Sequence, residues 1–238
     1  MSHQWRCLSC SMFQHSFCAA VFGKTSENAK LTRQPSWQDF KKVRARSTIV
    51  KRGDVSRYIH VLCHGWAFRL YRLFDGQRQI LNVLLPGDLF SAATVVADRI
   101  PFTVDALSDV QVSRLDRAQV LERLQANPNF LTELSELYTT EQNTADEMIT
   151  VLGKRSADQR VAYLFLHLIK RMASGHEGNA QCYPFVLRQH HIADMMGLTS
   201  VTVSRILGAF RSQGLAEISQ GSLKVLDPDE LDRIGSLK

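Results

Sequence analysis

No apolar run in this sequence reaches the roughly 18 residues that a membrane-spanning helix needs, which argues against a helical membrane protein. The opening, MSHQWRCLSCSMFQHSFC, also lacks the continuous apolar segment of a secretory signal, so the expected compartment is the cytoplasm. Cysteine is scarce and odd in number: five in 238 residues, three of them crowded into the first 18. That usage fits a reducing compartment with a metal or redox site better than a disulfide framework. No Ser-His-Asp arrangement, phosphate loop or paired acidic motif is present, so an enzyme reading has no candidate site.

What is present is enough chain for two modest domains, each able to bury a core, and an uneven charge. Residues 1–57 carry +8, residues 58–152 carry −5 and residues 153–238 carry +3, for a total of +6. Within the last segment, residues 153–226 carry +5 and the acid sits in the tail DPDELD. A basic C-terminal module suits contact with phosphate.

The most informative stretch is LRQHHIADMMGLTSVTVSRILGAFRSQG, residues 187–214. Ile192, Ala193, Met196, Leu198, Val203, Ile206, Leu207 and Phe210 recur at three- and four-residue intervals, so two short helices can bury one face against each other. Ala193 is small where helices must cross closely, and Gly197 can take the positive φ of a sharp turn. The second helix is left with an exposed face of Ser200, Val201, Ser204 and Arg205, with Arg211 or Gln213 further on. Such a helix fits the DNA major groove, where an Arg gives two hydrogen bonds to guanine O6 and N7. The segments LAEI, SQGS and LKVL then read as strand, turn and strand, which completes a winged helix-turn-helix.

The middle of the chain reads as all β. The runs 68–73 and 79–84 flank Asp75-Gly76, a strong hairpin signal, and further short runs fall at 58–62, 102–107 and 110–115. Many short strands predict a small barrel or jelly roll. A long helix follows. Asn127 can cap it and Pro128 can occupy its first turn. Phe130, Leu131, Leu134, Leu137, Tyr138, Ala145, Met148, Ile149 and Leu152 then form one stripe over some 25 residues, about 38 Å of helix. We read that stripe as a homodimer seam, because a helix-turn-helix usually gains affinity by binding two half-sites. Gly153-Lys154-Arg155-Ser156 is read as closing the helix and beginning a linker. The expected fold class is α+β: a cysteine-containing segment (1–30), a β-roll or jelly-roll sensor domain of cyclic-nucleotide-binding type (31–127), a dimerisation helix (128–153) and a winged helix-turn-helix (154–238).

This order of parts resembles the Crp/Fnr family of bacterial transcription regulators. The resemblance rests on Leu85-Pro86-Gly87-Asp88, on the run from Val151 to Ala162 (VLGKRSADQRVA), and on Gly197-Leu198-Thr199 through Val203-Ser204-Arg205-Ile206-Leu207-Gly208. Within the family the chain looks most like the Fnr/FixK branch, which adjusts respiration, nitrogen fixation or related metabolism to oxygen. The resemblance implies an activator that binds palindromic promoter DNA as a homodimer and works with RNA polymerase. It assigns DNA contacts to Arg188, Gln189, Thr199, Ser200, Val201, Ser204 and Arg205.

Departures from the family pattern are informative. The first helix of the motif opens with Arg188-Gln189 where the family has a hydroxyl residue followed by Arg, so the N-cap hydroxyl is lost while a cation stays near the phosphates. Val201 stands where the family often places a Glu that reads cytosine. Valine cannot accept a hydrogen bond from cytosine N4, so the half-site is expected to differ or to tolerate a thymine methyl. Members that bind cyclic AMP do so through Gly-Glu and Arg-Ser pairs. This chain offers Gly87-Asp88 and Pro101-Phe102, and Arg99 has the wrong spacing, so a cyclic nucleotide is not the expected ligand.

The sensor candidate is Cys7-Leu8-Ser9-Cys10 followed by Cys18, a C-x2-C-x7-C pattern. Close-spaced thiolates suit an iron–sulfur cluster, and the spacing looks like the segment that holds an oxygen-labile [4Fe-4S] centre in alphaproteobacterial Fnr-type proteins. The family's fourth ligand lies in the barrel, where Ser113 aligns, and Cys63 is the other barrel candidate. Zinc is the alternative, because Cys7, Cys10, His15 and Cys18 supply a C-x2-C-x4-H-x2-C run. The site can also hold no metal, with another small ligand in the β-roll as the signal. Cys182 reads as an ordinary thiol, and His190 and His191 as contacts to phosphate or solvent.

Overall fold

The computed structural model describes residues 17–22, 35–126, 128–173 and 182–237. The chain forms two compact units: the described residues of Met1–Tyr71 with Asn82–Gln142, and those of Arg72–Leu81 with Asn143–Lys238.

The first unit begins with α1 (Phe17–Phe22). The strands of this part of the chain are β1 (Gln38–Val43), β2 (Thr48–Val50), β3 (Tyr58–His64), β4 (Ala67–Arg72), β5 (Arg78–Leu84, its first four residues counted with the second unit), β6 (Thr103–Ala106) and β7 (Val110–Asp116). The short α2 (Ala93–Val96) lies between β5 and β6, and α3 (Arg117–Ala126) follows β7. The strands form two antiparallel sheets, β1-β7-β3 and β2-β6-β4-β5. The two-residue period of a strand sorts the core. On β3, Ile59 and Val61 pack with α1, Leu89, Val95, Leu115 and Val120, whereas Leu62 joins a second cluster with Leu84, Phe90, Phe102, Val104 and Val112. The hairpin predicted at Asp75-Gly76 is present. Gly76 has φ +84°, and the Asp75 carboxylate accepts from the Gln77 N–H at 2.9 Å.

The long helix is α4 (Pro128–Lys154); Asn127, the expected cap, lies outside the described residues. Its apolar stripe divides into two faces, which corrects the reading of one continuous seam. Leu134 and Leu137 pack on the Ile59 cluster of their own roll, and Met148 and Val151 are buried. Leu131, Tyr138 and Ile149 are instead 72%, 56% and 68% exposed. Glu141 fixes the inner face by polar contacts: its carboxylate accepts from Ala92 N (2.9 Å) and Ser91 Oγ (2.9 Å) and pairs with Arg69 Nη1 (3.3 Å).

The expected linker after α4 is also corrected. Only Arg155 and Ser156 separate α4 from α5 (Ala157–Ala173). Ser156 Oγ accepts from Gln159 N and Gln159 Oε1 accepts from Ser156 N, a capping box that restarts the helix at once. The second unit continues with β8 (Cys182–Pro184), α6 (Gln189–Met196), α7 (Ser200–Ser212), β9 (Ala216–Ser219), β10 (Ser222–Val225) and α8 (Pro228–Gly235). The sheet order is β8-β10-β9, so the wing predicted from LAEI and LKVL gains a third strand. Phe165 stacks edge-on against Phe185 and Phe210, with centroids 5.5 and 6.3 Å away. Gly235 lets α8 close on α5: a Cβ there would stand 2.7 Å from the Ala162 backbone carbon. Residues 72–81 join this unit through Arg78, paired with Asp194, and Gln79, whose amide donates to the Met195 carbonyl at 3.0 Å.

Candidate nucleic-acid interface

The two helices of the motif are held by local chemistry at each end. Gly197 ends α6 with φ +63°, the left-handed conformation that glycine adopts without a Cβ penalty. Thr199 is extended and caps α7, its hydroxyl accepting from Thr202 N at 3.1 Å. Arg160 secures the turn from below by donating to the Met196 carbonyl at 3.1 Å. Ile192, Ala193, Met196, Val203, Ile206 and Phe210 are buried, as their spacing predicted, whereas Leu198 and Leu207 are half-buried and Leu207 lines the outer groove.

The start of α6 is where sequence reasoning fell short. The missing N-cap hydroxyl at Arg188 is compensated three residues on: His191 Nδ1 accepts from the Arg188 N–H at 3.0 Å, while the Arg188 carbonyl takes His191 N at 2.9 Å. An imidazole thus plays the part of the acid in a capping box, and it must be neutral to do so. Burial, and then the nearby positive charges of His190, Arg78 and Arg188, pull the His191 pKa down from 6.5 to about 4. His191 is therefore a buried cap, not the solvent or phosphate contact expected for it. His190 is exposed beside it, ring centroids 4.0 Å apart.

The outer faces form an open groove of about 620 Å³ between α6, α7 and β9. Arg188, Gln189, Ser200 and Ser204, predicted as DNA contacts, line it together with His190 and Arg211. Val201 and Arg205 stand exposed on α7. Thr199, also predicted as a DNA contact, is exposed and caps α7 through its hydroxyl. The sequence reading missed Gly208 and Glu217 on the groove wall; Glu217 holds Arg211 at 3.3 Å. Arginines, hydroxyls and a helix N-terminus around one concave surface match the donors that position a protein on DNA phosphates.

The cysteine site is described only in part, because Cys7, Cys10 and His15 lie outside the described residues. Cys18 sits on α1 with its thiol buried in the Ile59 and Leu115 cluster. Ser113, aligned with the family's fourth ligand, is fully buried on the same sheet face as Leu115 and accepts from Gln38 Nε2 at 2.8 Å. Cys63 is half-buried at the end of β3, its sulfur 3.7 Å from the Val61 carbonyl. Cys182 is exposed on β8. In the roll, Asp88 caps its own turn by accepting from Leu85 N at 2.7 Å, Phe102 is buried, and Arg99 donates to the Gly53 carbonyl at the surface. Among the described residues, no helix is long and apolar enough to cross a membrane.

A roll, a long helix and a winged helix-turn-helix with an outward-facing second helix define a DNA-binding transcription regulator. Residues 40–127 match the cyclic nucleotide-binding domain model and residues 159–234 the Crp-like helix-turn-helix domain model. The chain is 30% identical to the transcriptional activatory protein AadR of Rhodopseudomonas palustris, over 80% of this chain and 79% of that protein. It is also 30% identical to the nitrogen fixation regulation protein FixK of Bradyrhizobium diazoefficiens, over 79% and 78% of the two chains. The solved structure of FixK2 from Bradyrhizobium japonicum superposes with a TM-score of 0.76 at 22% identity, covering 84% of this chain and 98% of that one. The chain belongs to the Crp/Fnr family, in its Fnr/FixK-like branch, whose members are regulators rather than enzymes.

Proposed function

We propose that this protein acts in the cytoplasm as a homodimer on a palindromic promoter site, activating transcription with RNA polymerase in response to oxygen or redox state. The outer face of α4 carries the dimer reading. Leu131, Tyr138 and Ala145 recur every seven residues and Ile149 follows four later, all of them exposed. That is an apolar row at heptad spacing, and an apolar row turned to solvent on a 27-residue helix is accounted for by a second copy of itself. Two copies present two α7 helices, Arg205 reading guanine and Arg188 neutralising phosphate in each half-site.

For the signal, Cys7, Cys10 and Cys18 would hold a [4Fe-4S] cluster with Cys63 as fourth ligand. The burial of the Cys18 thiol in an apolar cluster suits a centre shielded from solvent. When bound, such a cluster supplies an oxygen-labile group next to the roll. The names of AadR, an activatory protein, and FixK, a nitrogen fixation regulator, support the activator and metabolic setting. One observation favours a second reading, a structural zinc on Cys7, Cys10, His15 and Cys18 or no metal at all: the position of the family's fourth ligand is a serine, already engaged by Gln38. In that case another small ligand of the roll is the signal.

Anaerobic purification followed by absorption spectroscopy and metal analysis separates these readings. A visible iron–sulfur band lost in Cys7→Ser, Cys10→Ser and Cys18→Ser, with Cys182→Ser unchanged, supports the cluster. Stoichiometric zinc that depends on His15 assigns the site to zinc. Equal DNA affinity of metal-free protein in air and of the anaerobic preparation removes the sensing role.

A further inference from the structure

Val201 is 80% exposed in the first turn of α7, flanked by the polar Ser200 and Thr202. Two residues on, Val203 is fully buried and belongs to the packing of the motif. Val201 has no such part. Nor does the helix ask for valine there, since a β-branched residue is a mediocre helix former and an apolar one gains nothing in water. Thr199 already caps this turn, so the side chain at 201 is not needed to start the helix. What the position offers outward is two methyl groups with no donor and no acceptor. One turn later, on the same face, comes the exposed Arg205.

Of the groups that base pairs display in the major groove, only the C5-methyl of thymine is an apolar partner. A valine there cannot tell the O4 acceptor of thymine from the N4 donor of cytosine. We propose that Val201 reads a pyrimidine by its C5-methyl group alone, so that 5-methylcytosine substitutes for thymine and DNA methylation at that position controls occupancy of the site. The four residues from Val201 to Arg205 rise about 6 Å along the helix, against about 3.4 Å per base pair, so the methyl-bearing pyrimidine lies one or two steps from the guanine that Arg205 reads. Burying one methyl is worth about a factor of four in affinity, and about fifteen for the two half-sites of a palindrome. This inference rests on the reading of α7 as a major-groove helix.

The test uses full-length protein and a duplex that it selects from a random-sequence pool. Each pyrimidine of the half-site is presented in turn as thymine, uracil, cytosine and 5-methylcytosine, and affinity is read by fluorescence anisotropy. At one position thymine and 5-methylcytosine should bind alike, and uracil and cytosine should each bind about four-fold more weakly per half-site. Val201→Ala should flatten that difference. Val201→Glu should favour cytosine over thymine, methylated or not, because N4 donates to the carboxylate in both forms. Both substitutions are on the surface, so folding is not at stake, and unchanged melting of the variants checks this. Equal binding of thymine and uracil at every position overturns the inference, as does a methyl preference that survives in Val201→Ala. A pool that yields no enriched sequence overturns the DNA reading itself, whereas an enriched palindrome indifferent to methyl groups overturns only the role of Val201.

Discussion

The two units use their polar side chains in opposite directions. In the first, the charges around Glu141 are turned inward and paired. Glu141 takes three hydrogen bonds from Arg69, Ser91 and Ala92; Arg69 also donates to the Phe90 carbonyl and lies over the Phe102 ring; Asp105 accepts from Thr48 Oγ1 at 2.7 Å. In the second, Ser200, Ser204 and Arg205 stand exposed on a helix whose ends are fixed by other residues. The difference shows where a partner enters. The network around Glu141 ties α4 to its own roll, whereas the exposed donors of α7 are free to meet a partner such as DNA.

The comparison is broken most severely at the outer face of α4. Leu131→Glu with Ile149→Glu should abolish the dimer and weaken DNA binding by roughly 100-fold or more, because the two half-sites no longer act together. Leu134→Glu or Met148→Glu should instead unfold part of the chain, since those side chains face their own core. Sedimentation and circular dichroism separate the outcomes; a dimer intact in the Leu131/Ile149 variant rules out this seam.

Acid should strain both units, the second more. His60, His167 and His191 are each pulled down from 6.5 to about 4, in every case first by burial. Next come Arg114 and Lys41 for His60, Arg171 and Lys170 for His167, and the cluster of His190, Arg78 and Arg188 for His191. Between about pH 6.5 and 4 the unfolded chain binds protons at these histidines that the folded chain refuses, so their contribution to stability falls as pH drops through that window and is constant below it. Each histidine contributes at most about 1.4 kcal/mol per pH unit. Two of the three lie in the second unit, so its amides should lose hydrogen-exchange protection at higher pH than those of the roll. The reverse order would show that burial of His167 and His191 is not what sets the acid limit.

Arg205→Ala should cost about 1–3 kcal/mol on the selected site and relax discrimination at one guanine. Arg188→Ala should weaken all sequences alike and lower the salt slope by about one. An unchanged ranking of single-base variants for Arg205→Ala would mean that a different side chain reads that guanine. The smallest effect belongs to the roll: Glu141→Gln keeps an acceptor for Ala92 but loses the charge facing Arg69. It should cost about 1–2 kcal/mol of unfolding free energy while leaving base preferences untouched. A change in base ranking in that variant would contradict the division of labour between the units.

Much of the architecture was legible because it depends on patterns that sequence displays directly. Asp75-Gly76 marked a hairpin, Gly197 a left-handed turn, and the three-and-four spacing from Ile192 to Phe210 a buried helix pair. The rest depends on partners that sequence does not display. β1, QDFKKV, looks polar and is a strand because it pairs along β7. The stripe on α4 is wide enough for two faces, and only the position of the roll decides that Leu134 is inward and Leu131 outward. His191 as a cap was missed because capping is expected from hydroxyls and acids. The capping box at Ser156 and Gln159 was visible in principle, yet the basic run before it suggested a linker.

The grip of the roll on Glu141 also sets a fulcrum. From that residue to the end of α4 at Lys154 the helix extends about 20 Å, and it is continuous. A tilt of about 10° at the grip carries the far end sideways by about 3.4 Å, the spacing of one base pair. Length alone would therefore turn a small rotation at Glu141 into a displacement of the helix end as large as one base-pair step.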